Sequence, residues 1–183
     1  DTIRSRCLSL HFSGDSMEAM RTHHAPWLED FVRMLSAEHS DMMGRYRALG
    51  VLTSKLAASR ASIEESMKER YLDGLSSEVE ASFRKRREDE MKAAVEAEYR
   101  RVRTDHLSAF QWWLRDLWLS AEKGSAHQVA FPSLGPKQLR WKPRADRQAL
   151  LANIELLEDL QRTLLSNVQE ALALEVHLLK IQL

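Results

Sequence analysis

The fold is decided by two stretches of sequence, residues 110–119, Phe110-Gln111-Trp112-Trp113-Leu114-Arg115-Asp116-Leu117-Trp118-Leu119, and residues 166–181, Ser166-Asn167-Val168-Gln169-Glu170-Ala171-Leu172-Ala173-Leu174-Glu175-Val176-His177-Leu178-Leu179-Lys180-Ile181. In the first stretch, large apolar residues recur at spacings of three and four and so form an apolar stripe along one side of a helix. Trp112 and Leu119 widen this stripe, which is typical of a central, nearly buried helix. In the second, Asn167 is predicted to cap the last helix. The predicted apolar face of that helix is Val168, Ala171, Leu172, Leu178 and Leu179.

The composition of the whole chain favours helices. The 183 residues include only 6 Gly and 4 Pro, and Ala, Leu, Glu and Arg are abundant. The abundant residues lose little conformational freedom in a helix, whereas Gly and Pro interrupt it. Runs of alternating Val, Ile or Thr that would predict strands are absent from the sequence. We therefore predict an all-α fold, a helical bundle.

The charge and the single cysteine exclude several classes of protein. Lys plus Arg and Asp plus Glu number 27 each, so the net charge is zero, whereas autonomous nucleic-acid binders usually carry a positive excess. One cysteine, Cys7, excludes an internal disulfide and a Cys-based zinc site and suits a reducing cytoplasm. No apolar run approaches the roughly 20 residues of a membrane span, and there is no signal peptide. We expect a cytoplasmic protein that does not contact a membrane.

Local signals divide the N-terminal half into helices. Gly14 is predicted to end one helix, and Asp15 or Ser16 can cap the next. Pro26 is expected at the start of a further helix, because its missing N–H costs nothing there. Another helix is predicted from about Asp41 to about Leu72, before the stop signal Asp73-Gly74.

Residues 63–103 are the most highly charged part of the chain, with 21 charged residues among 41. A capping box, Ser77-Glu78-Val79-Glu80, predicts a long charged helix at about 77–103. The aromatic helix is predicted to follow separately from Asp105 to Ala121. A loop is expected at about 123–144, and loops of that length are usually functional or mobile. Asp146 is then expected to cap the next helix.

Two segments near the C-terminal end resemble the collar domain of bacterial clamp-loader subunits. Collar domains commonly begin their final helix with Asn-apolar-Asn-Pro and continue it as Leu-x-Leu-Glu-x-Leu-Leu. Here Asn167-Val168 is similar to that start, Leu172-Ala173-Leu174-Glu175 and Leu178-Leu179 are similar to the continuation, and Gln169-Glu170 departs from the second Asn and Pro. Trp113-Leu114-Arg115-Asp116-Leu117 is similar to the aromatic-x-Arg-Asp-Leu run of the central collar helix.

A third segment resembles the helical lid of the AAA+ ATPase module. Lids carry Gly-Ser/Asp-x-Arg-x-Ala-Leu, and Gly14-Asp15-Ser16-Met17-Glu18-Ala19-Met20 looks like this motif with Met17 in the Arg position. Subunits of the delta-prime type, which do not hydrolyse ATP, typically lack that Arg, whereas gamma/tau subunits keep it. The likeness is therefore to the delta-prime subunits of DNA polymerase III, with gamma/tau as an alternative. It implies the end of a lid at 1–24 and a collar at 25–183.

The resemblance implies a function in DNA replication, as a non-catalytic oligomerisation domain in the ring that loads the sliding clamp onto primed DNA. The implied partners are other clamp-loader subunits, with DNA and the clamp contacted only through the complex. Because the chain begins at Asp1 without Met, we expect it to be a fragment whose ATPase-like module lies upstream. The candidate interface residues are Trp113, Trp118, Asn167, Leu172, Leu178 and Leu179.

Sequence evidence for chemistry is weak. The Gly-x-x-x-x-Gly-Lys-Ser/Thr phosphate loop is absent from the sequence, so we expect no enzymatic activity and no cofactor. His23 and His24 could ligate a metal, but adjacent helical residues diverge by about 100° and no third ligand is evident, so no metal is expected. Arg84, Lys85, Arg86 and Arg87 could contact nucleic acid, although neighbouring acids make a solvated helix the favoured interpretation. An unrelated helical protein–protein adaptor and a DNA-binding helical protein remain alternatives.

Overall fold

The computed structural model describes residues 17–36, 42–72, 81–122, 129–139 and 145–183. These ranges contain five α-helices, a short 3-10 turn and no strand, so the predicted all-α class is confirmed. The elements are α1 (Met17–Ser36), α2 (Met42–Leu72), α3 (Ala81–Ala121), the 3-10 turn Pro132–Leu134, α4 (Arg147–Thr163) and α5 (Glu170–Leu178). None of the helices in these ranges is both long enough and apolar enough to cross a membrane.

The core forms around the aromatic half of α3, as the sequence predicts. Phe110 and Trp113 are fully buried, and Phe31 of α1 meets Phe110 edge-on with 4.7 Å between ring centroids. Both α2 and α4 pack against α3, and α1 packs against α2 and α3. A helix with so wide an apolar face is stable only when neighbours cover it, and here three helices do.

The charged helix and the aromatic helix are one continuous element, which corrects the prediction of two. α3 runs 41 residues without a break at Arg103. Its sequence contains neither Gly nor Pro, so nothing in the backbone chemistry ends the helix there. The change in composition instead marks a change in surroundings along one helix. It begins at Ala81, and the predicted capping box lies outside the described residues.

The second half of α2 and the first half of α3 form an antiparallel pair, which we call the arm (residues 57–72 and 81–94). No side chain in these two ranges is fully buried. Arg60 of α2 forms an ion pair with Glu96 of α3, and the Arg87 guanidinium lies 5.1 Å from the centroid of the Tyr71 ring. The arm is therefore held by polar and cation–π contacts across its seam and by few apolar ones.

α1 crosses the predicted boundary between a lid and a collar at residues 24 and 25. Pro26 lies inside α1 and not at a helix start, which corrects that prediction. Pro26 is on the exposed side, and the Thr22 carbonyl that loses its helical donor is also at the surface. At such a surface position water can replace the lost helical hydrogen bond, so the proline does not have to end the helix.

Part of the predicted loop is packed into the core. Ala130, Phe131 and Leu134 are buried, so residues 129–139 are not a mobile connection. The Asp116 carboxylate accepts hydrogen bonds from the backbone N–H groups of Ala130 at 2.9 Å and Phe131 at 2.7 Å. Burial raises the pKa of Asp116, and the two N–H donors act in the opposite direction.

Further contacts fix the same segment from two helices. Trp113 Nε1 donates to the Leu134 carbonyl at 3.0 Å. Arg21 of α1 donates through Nη2 to the Val129 carbonyl at 2.8 Å and through Nε to the Ala130 carbonyl. The segment thus fastens α1 to α3.

Replacing Asp116 with Asn should lower the free energy of unfolding by about 2 kcal/mol, since one backbone N–H would lose its charged acceptor in a buried site. Urea denaturation followed by circular dichroism measures this difference. Asp105→Asn, at a half-buried position of the same helix, is the matched control and should change stability by less than about 0.5 kcal/mol. Equal effects of the two substitutions would contradict the role given to Asp116.

The C-terminal helices differ from their predictions in two respects, the cap and the buried face of α5. Asp146 caps α4 as expected, accepting from the Ala149 N–H at 2.8 Å. Asn167 does not cap α5, because that helix begins only at Glu170, after Gln169, which makes no side-chain capping bond. The buried face of α5 is also rotated from the predicted one, and consists of Ala173, Leu174, His177 and Leu178. His177 can face inward because Nδ1 lies 2.7 Å from the Ala173 carbonyl and Nε2 lies 3.2 Å from Asp159 Oδ2.

Candidate functional site

An apolar surface remains on the outward side of α5. We call Leu172 and Val176 of α5, together with Val168 just before the helix, the outer α5 face; the exposed fractions of Val168, Leu172 and Val176 are 43%, 52% and 42%. Leu174 and Leu178, on the opposite side of the helix, are buried in the core. A helix that is apolar on both sides is normally covered on both. The outer α5 face is therefore a candidate contact surface.

Polar bonds hold α5 in position at both ends. At its start, Glu170 accepts from Tyr99 Oη and from Arg103 Nη1 of α3, the latter at 2.6 Å. At its end, Arg45 Nη1 of α2 donates to the Leu179 carbonyl at 2.6 Å. Tyr46 Oη also donates to Glu175 Oε1 at 3.0 Å. The outer α5 face is consequently presented on a helix anchored to two others.

A second apolar surface is a groove between α3 and α4, of about 440 Å³. We call it the α3–α4 groove, and its apolar lining consists of Trp112, Trp118, Leu151 and Ile154. The Arg115 guanidinium lies 4.8 Å from the centroid of the Trp112 ring, and Glu158 accepts from Gln111 Nε2 at 3.2 Å. The groove thus has an apolar floor with one cation and one anion at its border.

The structure separates the six predicted interface residues into two groups. Trp113 and Leu178 are buried in this chain's own core, with exposed fractions of 0% and 3%, so their side chains do not face a neighbour. The prediction that these two side chains lie at a subunit interface is corrected in this way. Sequence periodicity identifies an apolar face of a helix but does not show whether the core or a partner covers it. Leu172 and Asn167 are exposed, and Trp118 and Leu179 are half-buried. Sequence analysis missed Leu151 and Ile154 as groove residues, because their spacing equals that of core positions.

The basic cluster lies at the start of α3, in the arm. Arg84, Lys85 and Arg86 are exposed, and Arg87 is half-buried. Glu90 accepts from Arg86 at 3.2 Å and from Arg87 at 3.3 Å. These pairings are those of a solvated, internally neutralised helix, which is the interpretation that the sequence favours.

Three histidines meet where α1 crosses α3, and the sequence gives no sign of this meeting. His24 lies 4.8 Å from His23 and 5.1 Å from His106 between ring centroids. Trp27 Nε1 donates to His24 Nδ1 at 3.1 Å, and His106 Nδ1 lies 2.8 Å from the Val102 carbonyl. His106 Nε2 is buried and finds no hydrogen-bond partner among the described residues. We call His23, His24 and His106 the histidine cluster.

Burial lowers the pKa values of two of these histidines, His24 and His106. It lowers the pKa of His24 to about 4, with His106, His23 and Lys55 contributing in the same direction. Burial also lowers the pKa of His106, opposed by its contact with the Val102 carbonyl. In the described part of the chain, no three His, Cys, Asp or Glu side chains come together in a way that could hold a metal ion.

The lid motif falls only partly within the described residues. Gly14 and Asp15 precede them, and Met17 is the first residue of α1. Its predicted correspondence to a phosphate-binding Arg stays a prediction.

The chain was compared with known proteins and structures. No protein-family model, no curated protein and no solved structure matches it.

Proposed function

We propose that this chain is a non-catalytic assembly domain, and specifically the collar of a clamp-loader subunit of the delta-prime type. The observation that carries the assembly function is the outer α5 face, an apolar surface on a firmly anchored helix. Apolar residues clustered on one exposed surface favour a protein partner, because contact removes them from water.

The clamp-loader part of the proposal is supported by the resemblance of two segments. Trp113-Leu114-Arg115-Asp116-Leu117 lies in the core helix α3, and Asp116 has a structural role there in holding residues 130 and 131. Most of the Leu172–Leu179 segment lies in α5, which carries the proposed contact surface. In this proposal the chain works in the cytoplasm and meets DNA and the sliding clamp only through its partner subunits. A gamma/tau collar remains the alternative within the family.

The second candidate is a helical adaptor with no replication role. The arm favours it, because a solvated pair of long helices is a common way to reach another protein and is longer than the resemblance implies. The two candidates differ in their partners. A collar should bind other clamp-loader subunits from the same organism, and an adaptor should not.

Mixing the chain with those clamp-loader subunits should give co-elution in size-exclusion chromatography. Leu172→Glu should weaken the association at least tenfold, because it places a charge in the centre of the outer α5 face. Phe83→Glu in the arm is the matched control, since Phe83 and Leu172 are 49% and 52% exposed. It should leave binding unchanged.

Circular dichroism should show that both variants keep the helicity of the unsubstituted chain. Leu178→Asp is unsuitable for this test, because Leu178 is buried and its loss would disturb α5 itself. Absence of co-elution from a well-folded chain would remove the clamp-loader proposal and leave the adaptor ahead.

A further inference from the structure

Residues 181–183, which we call the strap, follow α5 outside any helix and lie against the core. The side chains of Ile181 and Leu183 are buried, with exposed fractions of 1% and 8%, whereas Gln182 between them is exposed. Burial that alternates with a period of two is typical of an extended segment lying on an apolar surface. The strap therefore contacts the core through every second side chain.

The main chain of the strap is bound by one side chain of α4. Asn153 Nδ2 donates to the Gln182 carbonyl at 2.5 Å, and Asn153 Oδ1 accepts from the Gln182 N–H at 3.0 Å. These are the two bonds by which a residue of a neighbouring β-strand would pair with Gln182. Asn153 therefore recognises the backbone of an extended segment and makes no use of the middle side chain.

Asn153 is the polar exception on the inner face of α4. The other buried side chains of this helix are Leu150, Leu157 and Leu160, and Asn153 itself is 3% exposed. Burying an amide without hydrogen bonds is costly. Without the strap, the side-chain amide of Asn153 would have no partner among the described residues. An amide placed between apolar side chains is suited to bind an extended main chain with an apolar side chain on either side.

The strap has few attachments of its own. In the described part of the chain, one further hydrogen bond reaches it, from the Ile181 N–H to the Leu178 carbonyl at 3.3 Å. The chain just before the strap is held separately, because Arg45 donates to the Leu179 carbonyl at 2.6 Å. Short segments with few contacts open locally at a lower free energy than global unfolding. The strap can therefore open while α5 stays in place.

We propose that the inner face of α4 around Asn153 is a binding site for an extended peptide with apolar side chains at positions i and i+2, and that the strap closes this site. The chemistry of the partner is that of the segment seated there, so a segment of another protein with this pattern would compete with the strap. This inference goes beyond the proposed assembly function, because it adds a second contact whose access the chain itself controls.

The test opens the strap in the full chain. Ile181→Ser together with Leu183→Ser removes both anchoring side chains and leaves Asn153 in place; we call this chain the open variant. The probe is a peptide capped at both ends with the sequence of residues 179–183, Leu-Lys-Ile-Gln-Leu. Its binding is followed by the shift of the Asn153 side-chain amide signals in ¹⁵N NMR spectra, at peptide concentrations up to about 5 mM.

The open variant should bind the peptide with a dissociation constant of roughly 0.1–1 mM, as expected for a short ligand with two apolar anchors. The unsubstituted chain should bind it at least tenfold more weakly, because the strap occupies the site. Gln182→Ser changes the exposed side chain of the strap and is the matched control, so it should bind no better than the unsubstituted chain. A folded open variant that does not bind the peptide would overturn the proposal.

Altered peptides test how the peptide is recognised. Ala in place of the peptide's Gln should leave the affinity unchanged. N-methylation of that Gln, which removes the N–H bound by Asn153, should weaken binding at least tenfold, and so should Ser in place of the Ile. Adding Asn153→Ala to the open variant should weaken binding equally. Similar affinities for all these peptides would show non-specific adhesion to an apolar surface and would overturn the proposal.

Hydrogen exchange of the unsubstituted chain gives a test that needs no substitution. The amide of Gln182 should have a protection factor at least tenfold smaller than those of Leu157 and Leu160, because the strap opens locally. Equal protection would mean that the strap opens only when the chain unfolds, and would overturn the proposal even if the open variant failed to fold. None of these measurements involves clamp-loader subunits, so the proposed function is tested separately by co-elution.

Discussion

Replacing Glu170 with Ala should lower the free energy of unfolding by about 3 kcal/mol. Its carboxylate accepts from Arg103 Nη1 at 2.6 Å and also from Tyr99 Oη. Arg103 is only 9% exposed, so removing its partner would leave a buried guanidinium with one hydrogen bond among the described residues, to the Leu164 carbonyl at 3.2 Å. Breaking a buried pair on one side typically costs 3–5 kcal/mol, and the partial exposure of Glu170 places the expected value at about the lower end.

Urea denaturation should show this loss as a shift of the midpoint by roughly 1–2 M. Hydrogen exchange should show the largest loss of protection in α5, which Glu170 fastens to α3. Two control variants test whether the loss of stability comes from the unpaired Arg103. Arg103→Met together with Glu170→Ala should recover part of the stability, because the uncompensated charge is gone. Glu29→Ala, which breaks an exposed pair with Arg33, should cost less than about 1 kcal/mol. A Glu170→Ala effect as small as that of Glu29→Ala would refute the anchoring role.

Acidification from pH 7.5 to pH 4 should destabilise the chain by up to about 3 kcal/mol through His24 alone. The folded pKa of His24, about 4, lies below the ordinary value of 6.5, so the unfolded chain binds more protons between these values. Stability is therefore intact above about pH 6.5 and falls as the pH drops towards 4. His106 shifts in the same direction because of its burial. The carboxylate of Asp105 in α3 opposes the lowering of the His106 pKa. The ammonium group of Lys55 in α2 adds to the lowering of the pKa of both His24 and His106.

Thermal unfolding across this pH range measures the effect. The variant His24→Asn with His106→Phe should show a flatter dependence on pH, since Asn keeps an acceptor for Trp27 and Phe fills the ring volume. An equally steep slope in the double variant would assign the acid sensitivity to other groups.

Helix positions follow from the sequence wherever a local signal determines them. The end of α2 at Leu72 precedes a Gly, and the cap of α4 at Asp146 is a side-chain acceptor, so both are predicted correctly. The buried face around Phe110 and Trp113 follows from apolar spacing. The single helix α3 does not follow, because its change in composition imitates a boundary although the backbone contains no breaker.

Less of the candidate site than of the fold could be predicted from the sequence. Asn167 has the chemistry of a cap, but the anchoring of Glu170 by Tyr99 and Arg103 starts α5 later, and those contacts are separated from it by 71 and 67 positions. A similar separation hides the histidine cluster, because His106 lies 82 positions after His24 in the sequence. Periodicity gives the faces of a helix, and only tertiary packing decides which face is covered.

The length of α3 gives the molecule a mechanical property. At about 1.5 Å per residue its 41 residues span about 60 Å, and the first 14 lie in the arm, beyond the core. Tyr99 and Arg103, near the middle, join α3 to the start of α5. The other half of α3 is held in the core, so the arm is a rigid extension of the core: a tilt of about 10° between the two would carry the end of the arm through about 5 Å, over the roughly 27 Å from Tyr99 to Ala81. A partner bound at the end of the arm would therefore act on the core through a long moment arm.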